Sequence, residues 1–262
     1  MVIPCIDMKI ILIGAGNLAT QLAVALQKKG MTPAYIYSRT RKSAEQLSER
    51  LRDVPHSTDI SRVPTDGDLY IFAVKDSALL DLVSRMPANR GLWVHTAGSM
   101  DMEVFAPYTA RYGVFYPMQT FSKERETDFD DIPIFVEANH TDDTERLQEL
   151  AGRLSTKVYE ATSEQRKYLH LAAVFACNFT NHLYALCDRI LSEHGLPFET
   201  MLPLIRETAA KVADMPPAQA QTGPAIRYDK NVIDKQMALL SDPIMRQIYD
   251  LMSRSIHETN KH

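Results

Sequence analysis

The sequence predicts an α/β domain built on a doubly wound parallel sheet, followed by an all-α domain. Up to about residue 160, short apolar segments rich in β-branched residues alternate with amphipathic helical segments. This alternation is typical of parallel strands joined by helices that cover both faces of a sheet. Beyond that point only helical periodicity remains, without a further strand or an internal repeat. We therefore expect a sheet domain over residues 8–160 and a helical domain over residues 161–262.

The elements of the first domain follow from their patterns in order. Residues 9–13 are predicted to be a short buried strand that ends at Gly14, and residues 17–29 a helix. Two more helices are predicted over residues 41–51, with a polar outer side, and over residues 141–154, with acidic residues in the first turn. The remaining predicted strands cover residues 34–38, 68–74, 91–97, 112–117, 132–138 and 157–161.

The second domain begins with helical periodicity over residues 162–195, whose opening Thr-Ser-Glu-Gln has the form of a capping box. A second helix is predicted over residues 197–214, with a kink at Pro203. A proline-rich loop follows. The last two predicted helices cover residues 230–240 and 242–258.

Composition and charge exclude several classes of protein. The formal net charge is −4 and no long basic run occurs, so we expect no nucleic-acid partner. No apolar segment approaches the roughly 20 residues of a membrane span, so we expect no membrane association. Cys5, Cys177 and Cys187 form neither a CxxC pair nor a metal-ligand spacing, and the first seven residues lack the features of a signal peptide. These observations predict a cytoplasmic protein without a bound metal.

A glycine-rich turn follows the first strand and opens the first helix. Gly14 allows a tight turn, Gly16 leaves room for a diphosphate against the backbone, and Ala19 permits close packing of helix and strand. The helix N-terminus at Asn17 and Leu18 presents free N–H groups and a partial positive charge to phosphate. The turn therefore predicts a dinucleotide site; the alternative is a glycine turn without a ligand.

The end of the second strand indicates which dinucleotide is bound. An acidic residue usually stands there when the ligand is NAD, but this chain has Ser38, Arg39, Thr40 and Arg41. Two hydroxyls and two guanidinium groups suit a 2′-phosphate, so we predict NADP. The alternative, a solvated arginine at the start of a helix, suits Arg41 better than Arg39.

The ends of two later strands should lie at the same edge of the sheet, where ligands bind in such folds. His95 precedes one of these strand ends and could bind the substrate, although a histidine in a strand is more often a structural hydrogen-bonding group. Backbone that could approach the nicotinamide and its ribose belongs to Ala73, Val74, Lys75, Ala97 and Gly98.

A polar stripe runs along the predicted long helix. At about 100° per residue, Lys167, His170, Asn178 and Asn181 fall within an arc of about 80° on a helix that is otherwise rich in apolar residues. Polar groups on such a helix need partners or a cavity. A partly desolvated Lys167 could donate a proton, with His170 and Asn178 positioning the substrate. The alternative is an exposed Lys167 and an Asn178 that bonds a neighbouring helix.

Three stretches give the chain a family resemblance: residues 95–100 (HTAGSM), residues 115–121 (FYPMQTF) and residues 167–229. Their order resembles the β-hydroxyacid dehydrogenase and pyrroline-5-carboxylate reductase superfamily. More closely, the chain is similar to a bacterial family of NADP-dependent oxidoreductases without an assigned substrate. The resemblance implies a Rossmann domain, a helical domain like that of 6-phosphogluconate dehydrogenase, and a homodimer. It also implies a cleft lined by Pro117, Gln119, Lys167, His170, Asn178, Thr222, Gly223 and Pro224.

The sequence departs from the family pattern at two positions. Tyr116 stands where the family more often has His, and Leu171 stands where the dehydrogenases have Asn. These departures favour an alternative function, a non-catalytic NADP-binding sensor, beside the main prediction.

The main prediction is an NADP-dependent oxidoreductase that transfers hydride between NADPH and a small carbonyl or imine substrate. The predicted cofactor site comprises Gly14, Ala15, Gly16, Asn17, Leu18, Ser38, Arg39, Thr40, Ala73, Val74, Lys75, Ala97 and Gly98. The predicted substrate site comprises His95, Pro117, Gln119, Thr222 and Gly223, and the predicted catalytic residues are Lys167, His170 and Asn178.

Overall fold

A computed structural model describes residues 8–260, which form two compact units. The first unit extends to Cys177 and the second begins at Asn178. The division falls inside the segment predicted as one long helix, whereas the change of pattern near residue 160 coincides with the end of the last strand. Cys5 and the N-terminal segment discussed above lie outside the described residues.

The first unit contains one sheet, with the strand order β3-β2-β1-β4-β5-β6-β7-β8. The strands are β1 (Ile10–Ile13), β2 (Tyr35–Tyr37), β3 (His56–Ser57), β4 (Leu69–Phe72), β5 (Leu92–His95), β6 (Tyr112–Pro117), β7 (Ile134–Ala138) and β8 (Val158–Glu160). From β3 to β6 all neighbouring strands are parallel. Strands β2 and β3 are added on one side of β1, and β4 to β6 are added on its other side. This order, with its switch point beside β1, is that of a Rossmann fold.

The predicted parallel sheet is confirmed from β3 to β6, and one edge departs from it. Strand β7 is antiparallel to β6, and β8 is parallel to β7. Parallel neighbours need a crossover connection, which is usually a helix. The connection from β6 to β7, residues 118–133, contains no helix, so β7 returns alongside β6 in the opposite direction.

Five helices accompany the sheet in the described part of the first unit: α1 (Asn17–Lys28), α2 (Arg41–Arg50), α3 (Asp76–Ser84), α4 (Thr141–Leu154) and α5 (Ser163–Ala173). Single 3₁₀ turns lie at Ile60–Arg62 and Met102–Phe105. The predicted capping box at the start of α5 is confirmed, because the Thr162 side chain accepts from the Gln165 N–H and the Gln165 side chain accepts from the Thr162 N–H. Neither α3 nor the two-residue strand β3 was predicted.

Alternating side chains of the strands form two apolar layers. Ile10 and Leu12 of β1 pack on one face with buried residues of α1, α2 and α4. Ile11 and Ile13 point to the other face, where α3 and Phe105 complete a layer rich in aromatic rings. Both layers are fully buried at β1, which explains why the strand is a continuous apolar run. The glycine-rich turn therefore follows a strand whose residues are all buried.

The second unit is helical. A π-helical segment, Val174–Phe179, leads out of α5. The helices that follow are α6 (Thr180–Glu193), α7 (Leu202–Asp214), α8 (Pro217–Ala220), α9 (Lys230–Ala238) and α10 (Pro243–Thr259). The predicted kink at Pro203 does not occur, because α7 begins at Leu202 and proline fits the first turn of a helix without loss of a hydrogen bond. Within the part of the chain that the structure describes, no helix has the length and apolar character of a membrane span.

Candidate active site at the carboxyl edge of the sheet

The glycine-rich turn lies at the switch point and brings β1 close to β4. Gly14 has a φ of +129°, and a Cβ atom there would lie 2.2 Å from the carbonyl oxygen of Ala73. The Gly14 N–H donates to the Tyr37 carbonyl, while the Ala73 N–H donates to the Ile13 carbonyl. Only glycine fits this conformation and this close approach. The turn thus joins the ends of β1, β2 and β4 in one edge.

Gly16 occupies a different environment two residues later. It is the N-terminal cap of α1 and is exposed, and no atom lies within 4 Å of the position that a Cβ would occupy. No side chain caps the helix, so the first N–H groups of α1, at Asn17 and Leu18, are open to a ligand. Ala15 is buried and Leu18 half-buried beside them. The backbone here is shaped to accept an anion.

The end of β2 presents one guanidinium group without a protein partner. The Arg41 Nε donates to the Glu45 carboxylate at 2.7 Å, so this arginine is held along its own helix. Arg39 is exposed, and no ion pair or hydrogen bond within residues 8–260 engages its side chain. Ser38 is buried and its Oγ accepts from the Thr40 N–H at 3.4 Å.

These residues fit a dinucleotide phosphate on grounds of shape and charge. Gly16 has no Cβ, and the open space beside it adjoins the N-terminus of α1. Arg39 lies just after the neighbouring strand β2. No acidic residue lies in the first turn of α1 or of α2. Residues 8–260 contain no group of three or more His, Cys, Asp or Glu side chains that could hold a metal ion.

The ends of β4 and β5 meet next to this turn. Ala73 is buried, Val74 is half-buried, and Lys75 is exposed at the N-terminal cap of α3. The Ser99 hydroxyl donates to the Asp76 carboxylate and so links the two strand ends. The polar surface of this edge therefore continues from β1 across β4 to β5.

His95 lies inside the protein and has a structural role. Its Nδ1 accepts from the Ala97 N–H at 3.2 Å, which leaves Nε2–H to donate to the Asp101 carbonyl at 3.3 Å. The side chain is fully buried against Phe105. Burial, with a smaller contribution from the positive charge of Arg166, lowers the pKa of His95 from 6.5 to about 4. Since both ring nitrogens are engaged, His95 shapes the loop after β5, and we do not retain it as a substrate ligand.

A buried arginine holds the same loop from the other side. Arg166 of α5 is fully buried, and its guanidinium donates to the carbonyls of Ala97 at 3.2 Å and Met100 at 2.5 Å. It also pairs with Glu137 of β7 at 2.8 Å, and Glu137 accepts from the main chain and hydroxyl of Ser163. None of Arg166, Glu137 and Ser163 was predicted, because Arg166 lies in the polar stretch of residues 162–167 and its burial could not be expected from its neighbours in sequence.

Tyr116 and His170 meet beside this loop. Tyr116 lies at the end of β6, is 7% exposed, and its hydroxyl is 3.1 Å from Nδ1 of His170. Gly98 packs directly on the imidazole, since a Cβ at residue 98 would lie 2.6 Å from Nδ1. Burial raises the pKa of Tyr116 above its usual range. The predicted residue His170 thus belongs to the carboxyl edge together with Gly98.

Lys167 lies on the same helix but is not buried. Its ammonium group is 3.7 Å from the Asp101 carboxylate, and its side chain is 51% exposed. It borders a shallow cavity of about 600 Å³ lined by Asp101, Glu164, Lys167, Tyr168 and Leu171. The Lys167 side chain is therefore exposed, which agrees with the alternative interpretation of this residue better than with the expected partial desolvation.

The loop after β6 is fastened to the first helix. The Asn17 side chain donates to the Phe121 carbonyl at 3.0 Å. Gln21, one turn later and 1% exposed, donates to the carbonyls of Ser122 and Arg125 and accepts from the Thr127 N–H. The backbone of this segment is therefore hydrogen-bonded along α1. We call residues 121–127 the α1 strap.

The remaining predicted residues fall into two groups. Pro117 ends β6 and is buried, and Gln119 is exposed in the loop that leads to the α1 strap. Asn178, Thr222 and Gly223 are exposed residues of the second unit; Asn178 lies in the π-helical segment, and Gly223 has a φ of +103°. The first unit alone therefore brings together the glycine-rich turn, the ends of β2, β4, β5 and β6, and His170.

Comparisons with known proteins identify the family. A Rossmann-like domain model matches residues 3–118, and a domain of unknown function, DUF2520, matches residues 132–256. A protein from Bacteroides fragilis, described as a "putative NADP oxidoreductase", is 52% identical over 96% of this chain and 98% of its own, with a TM-score of 0.90. The chain belongs to the same family as this Bacteroides fragilis protein. The resemblance to a bacterial oxidoreductase family that joins these two domains is thus confirmed.

More distant members of the fold share its architecture at low identity. A reductive aminase from Aspergillus terreus, in complex with NADPH and ethyl-5-oxohexanoate, is 15% identical and covers 97% of this chain and 95% of its own, with a TM-score of 0.74. An imine reductase from Myxococcus stipitatus, in complex with NADP⁺, is 18% identical and covers 97% and 94%, with a TM-score of 0.70. No curated protein sequence matches the chain. These likenesses confirm the fold of a Rossmann-like domain followed by a helical region.

Proposed function

We propose that this protein is an NADPH-dependent reductase of a small carbonyl or imine compound. One observation carries the proposal. At the switch point of the sheet, α1 has an uncapped N-terminus with open space beside Gly16. Arg39, whose side chain has no ion pair or hydrogen bond within residues 8–260, follows the neighbouring strand β2. A diphosphate suits the first feature and a 2′-phosphate the second. The family and the two structural relatives named with NADPH or NADP⁺ support the same cofactor.

When bound, NADPH supplies a hydride to the carbon of a C=O or C=N group. The residues of this chain would hold the cofactor along the strand ends. We assign the diphosphate to the turn from Gly14 to Leu18 and the 2′-phosphate to Ser38, Arg39 and Thr40. The nicotinamide end is assigned to the ends of β4 and β5, with the backbone of residues 73–75 and 97–98.

Reduction of C=O or C=N also requires a proton at the oxygen or nitrogen atom. We assign this proton to the ammonium group of Lys167, which is open to the cavity described above and can regain a proton from water. His170, one turn later on α5, would position the substrate. Pro117 and Gln119 are the further proposed substrate residues of the first unit, and the predictions for Asn178, Thr222 and Gly223 of the second unit rest on the sequence.

We further propose that the protein works as a homodimer. Of the described residues in the second unit, only Ala225, Ile233, Met245 and Ser253 are buried. A helical unit with so small a core cannot offset its chain entropy without another surface to cover it. Leucine and isoleucine side chains at residues 204, 239, 244 and 251 are more than half exposed, which is typical of surfaces that a second copy covers.

Calorimetric titration with NADPH followed by a turnover assay tests the function. We expect binding of NADPH, and consumption of it with at least one member of a panel of keto acids, aldehydes and cyclic imines. Tight binding without turnover on any compound would instead support the non-catalytic sensor. Absence of binding would contradict both.

Two variants then separate the roles on α5. Lys167→Gln should lower kcat by about 10²-fold or more while KM changes little, because a general acid acts in the transition state. His170→Gln should mainly raise KM. Equal kcat values for Lys167→Gln and the unmodified chain would contradict the assignment of the proton to Lys167.

A further inference from the structure

The contact between Tyr116 and His170 determines which nitrogen of the imidazole carries the hydrogen atom. The phenol of Tyr116 is almost wholly buried, and Nδ1 of His170, at 3.1 Å, is its only hydrogen-bond partner within residues 8–260. If Nδ1–H donated to the phenol oxygen, the phenol O–H would be a buried donor without an acceptor. Donation by the phenol to Nδ1 pairs the buried hydroxyl and Nδ1 with each other. His170 is then the Nε2–H tautomer.

The burial of Tyr116 keeps this arrangement in place. Desolvation raises the pKa of the phenol, so the hydroxyl retains its hydrogen atom at neutral pH. The ring of Tyr116 packs against Phe135 of β7 and edge-on to the imidazole, which limits its rotation. The donor therefore stays directed at Nδ1.

Gly98 fixes the position of the imidazole ring. A Cβ at this residue would lie 2.6 Å from Nδ1, 2.7 Å from Cγ and 2.9 Å from Cβ of His170. The ring thus fills the space that glycine leaves, and Arg166 holds the backbone next to Gly98 through the Ala97 carbonyl. The other side of the ring is different, because Nε2 makes no hydrogen bond within the part of the chain described here and the side chain is half-buried.

We propose that Tyr116 and Gly98 are positioning residues that hold His170 as an Nε2–H donor, so that the site takes a hydrogen-bond acceptor, a carbonyl or carboxylate oxygen of the substrate. An ammonium or protonated imine nitrogen has no lone pair to offer this N–H and is disfavoured at His170. The tautomer follows from the geometry alone, and only the identification of the acceptor as part of a substrate depends on the proposed function.

Long-range ¹H–¹⁵N NMR of the full chain labelled at histidine tests the tautomer. His170→Gln identifies the resonances of His170 by their disappearance. Without cofactor, we expect the Nε2–H tautomer to exceed Nδ1–H by at least about tenfold, since an unpaired buried donor would disfavour the other form by about that factor. In Tyr116→Phe, which retains the ring and removes only the hydroxyl, the Nδ1–H fraction should rise measurably. A predominant Nδ1–H form in the unmodified chain, or an unchanged ratio in Tyr116→Phe, would overturn the proposal.

Two small probes test the acceptor preference. Acetate should shift the His170 Nε2 resonance, and methylammonium at the same concentration should not. Gly98→Ala should weaken the response to acetate because the imidazole is displaced; if this variant does not fold, Tyr116→Phe provides the same comparison. A response to methylammonium as large as that to acetate, or no response to acetate, would refute the acceptor assignment. Failure of NADPH to bind would refute the proposed function and leave the tautomer result intact, so the two failures are distinguishable.

Discussion

Gly14 and Gly16 stand two residues apart in one turn, yet the structure requires or permits glycine for different reasons. Gly14 has a left-handed φ and no room for a Cβ beside Ala73. Gly16 has extended backbone angles and open space where its Cβ would be. The fold therefore requires the first glycine, whereas no neighbouring atom requires the second, which we assign to the diphosphate.

This difference gives a prediction that separates stability from binding. Gly16→Ala should leave the melting temperature unchanged and weaken NADPH binding by at least about tenfold, because the methyl group occupies the proposed diphosphate space. Gly14→Ala should destabilise the protein by about 1–3 kcal/mol or more, since backbone must move. Thermal unfolding and fluorescence titration with NADPH measure the two effects.

Gly152 provides the matched control, because it lies in α4 and its Cβ position is also open. Gly152→Ala should raise stability by about 0.5–1 kcal/mol and leave NADPH binding unchanged. If Gly16→Ala binds NADPH as tightly as this control, the diphosphate does not lie at the turn.

The two arginines after β2 give a second matched pair. Arg39→Ala should weaken NADPH binding by about tenfold or more, the value of a charge-assisted hydrogen bond, and leave NADH binding almost unchanged. Arg41→Ala should affect neither, because Arg41 is paired with Glu45. Equal losses of affinity for both cofactors in Arg39→Ala would contradict the 2′-phosphate assignment.

His95 predicts a loss of stability in acid. Its folded-state pKa of about 4 lies below the ordinary 6.5, so between these values the unfolded chain binds a proton that the folded chain does not. The free energy of unfolding therefore falls as pH decreases from 6.5 to about 4, by at most about 3 kcal/mol from this group. Urea unfolding at several pH values should show this slope, and His95→Asn should reduce it. An equal slope in both proteins would assign the acid sensitivity to other groups.

At the scale of elements, the α1 strap depends on a single buried amide. Gln21 supplies three hydrogen bonds to residues 122–127. Gln21→Ala should destabilise the chain by about 1–3 kcal/mol, because it removes three hydrogen bonds between a buried side chain and partly buried backbone groups. It should also speed amide hydrogen exchange in the strap.

The exposed Gln46 of α2 is the control for this variant. Gln46→Ala should change neither stability nor hydrogen exchange in residues 122–127. If both variants exchange alike, the strap is held by other contacts, such as the ion pair between Lys28 and Glu126, and not by Gln21.

Local patterns predicted most elements, and long-range contacts account for the misses. Residues close together in the sequence were enough to predict the apolar runs of β1, β4 and β5 and the capping box of α5. The direction of β7 is set by a connection without a helix, and the α1 strap by a glutamine about 100 positions away. Similarly, the glycine-rich turn was recognisable, whereas the main partners of Arg166 and His170 lie on other elements and could not be predicted from residue spacing.

At the scale of the whole molecule, the exposed apolar residues of the second unit predict self-association. Light scattering after gel filtration should give twice the 29.6 kDa of one chain. Leu239→Asp and Ile244→Asp, at residues 81% and 66% exposed, should shift the protein toward the monomer. Leu80→Asp of the first unit, at a residue 56% exposed, should not. A single-chain mass for the unmodified protein would contradict the homodimer.

Asn17 connects two parts of the site, one through its main-chain N–H and the other through its side-chain amide. Its main-chain N–H is assigned to the diphosphate, and its side chain holds Phe121, four residues after Pro117. If the diphosphate binds at this N–H, it should also order the loop that the Asn17 side chain holds, and by reciprocal linkage an ordered loop should strengthen binding of the diphosphate. We therefore expect slower amide exchange over residues 118–127 on addition of NADPH, and unchanged exchange would contradict this linkage.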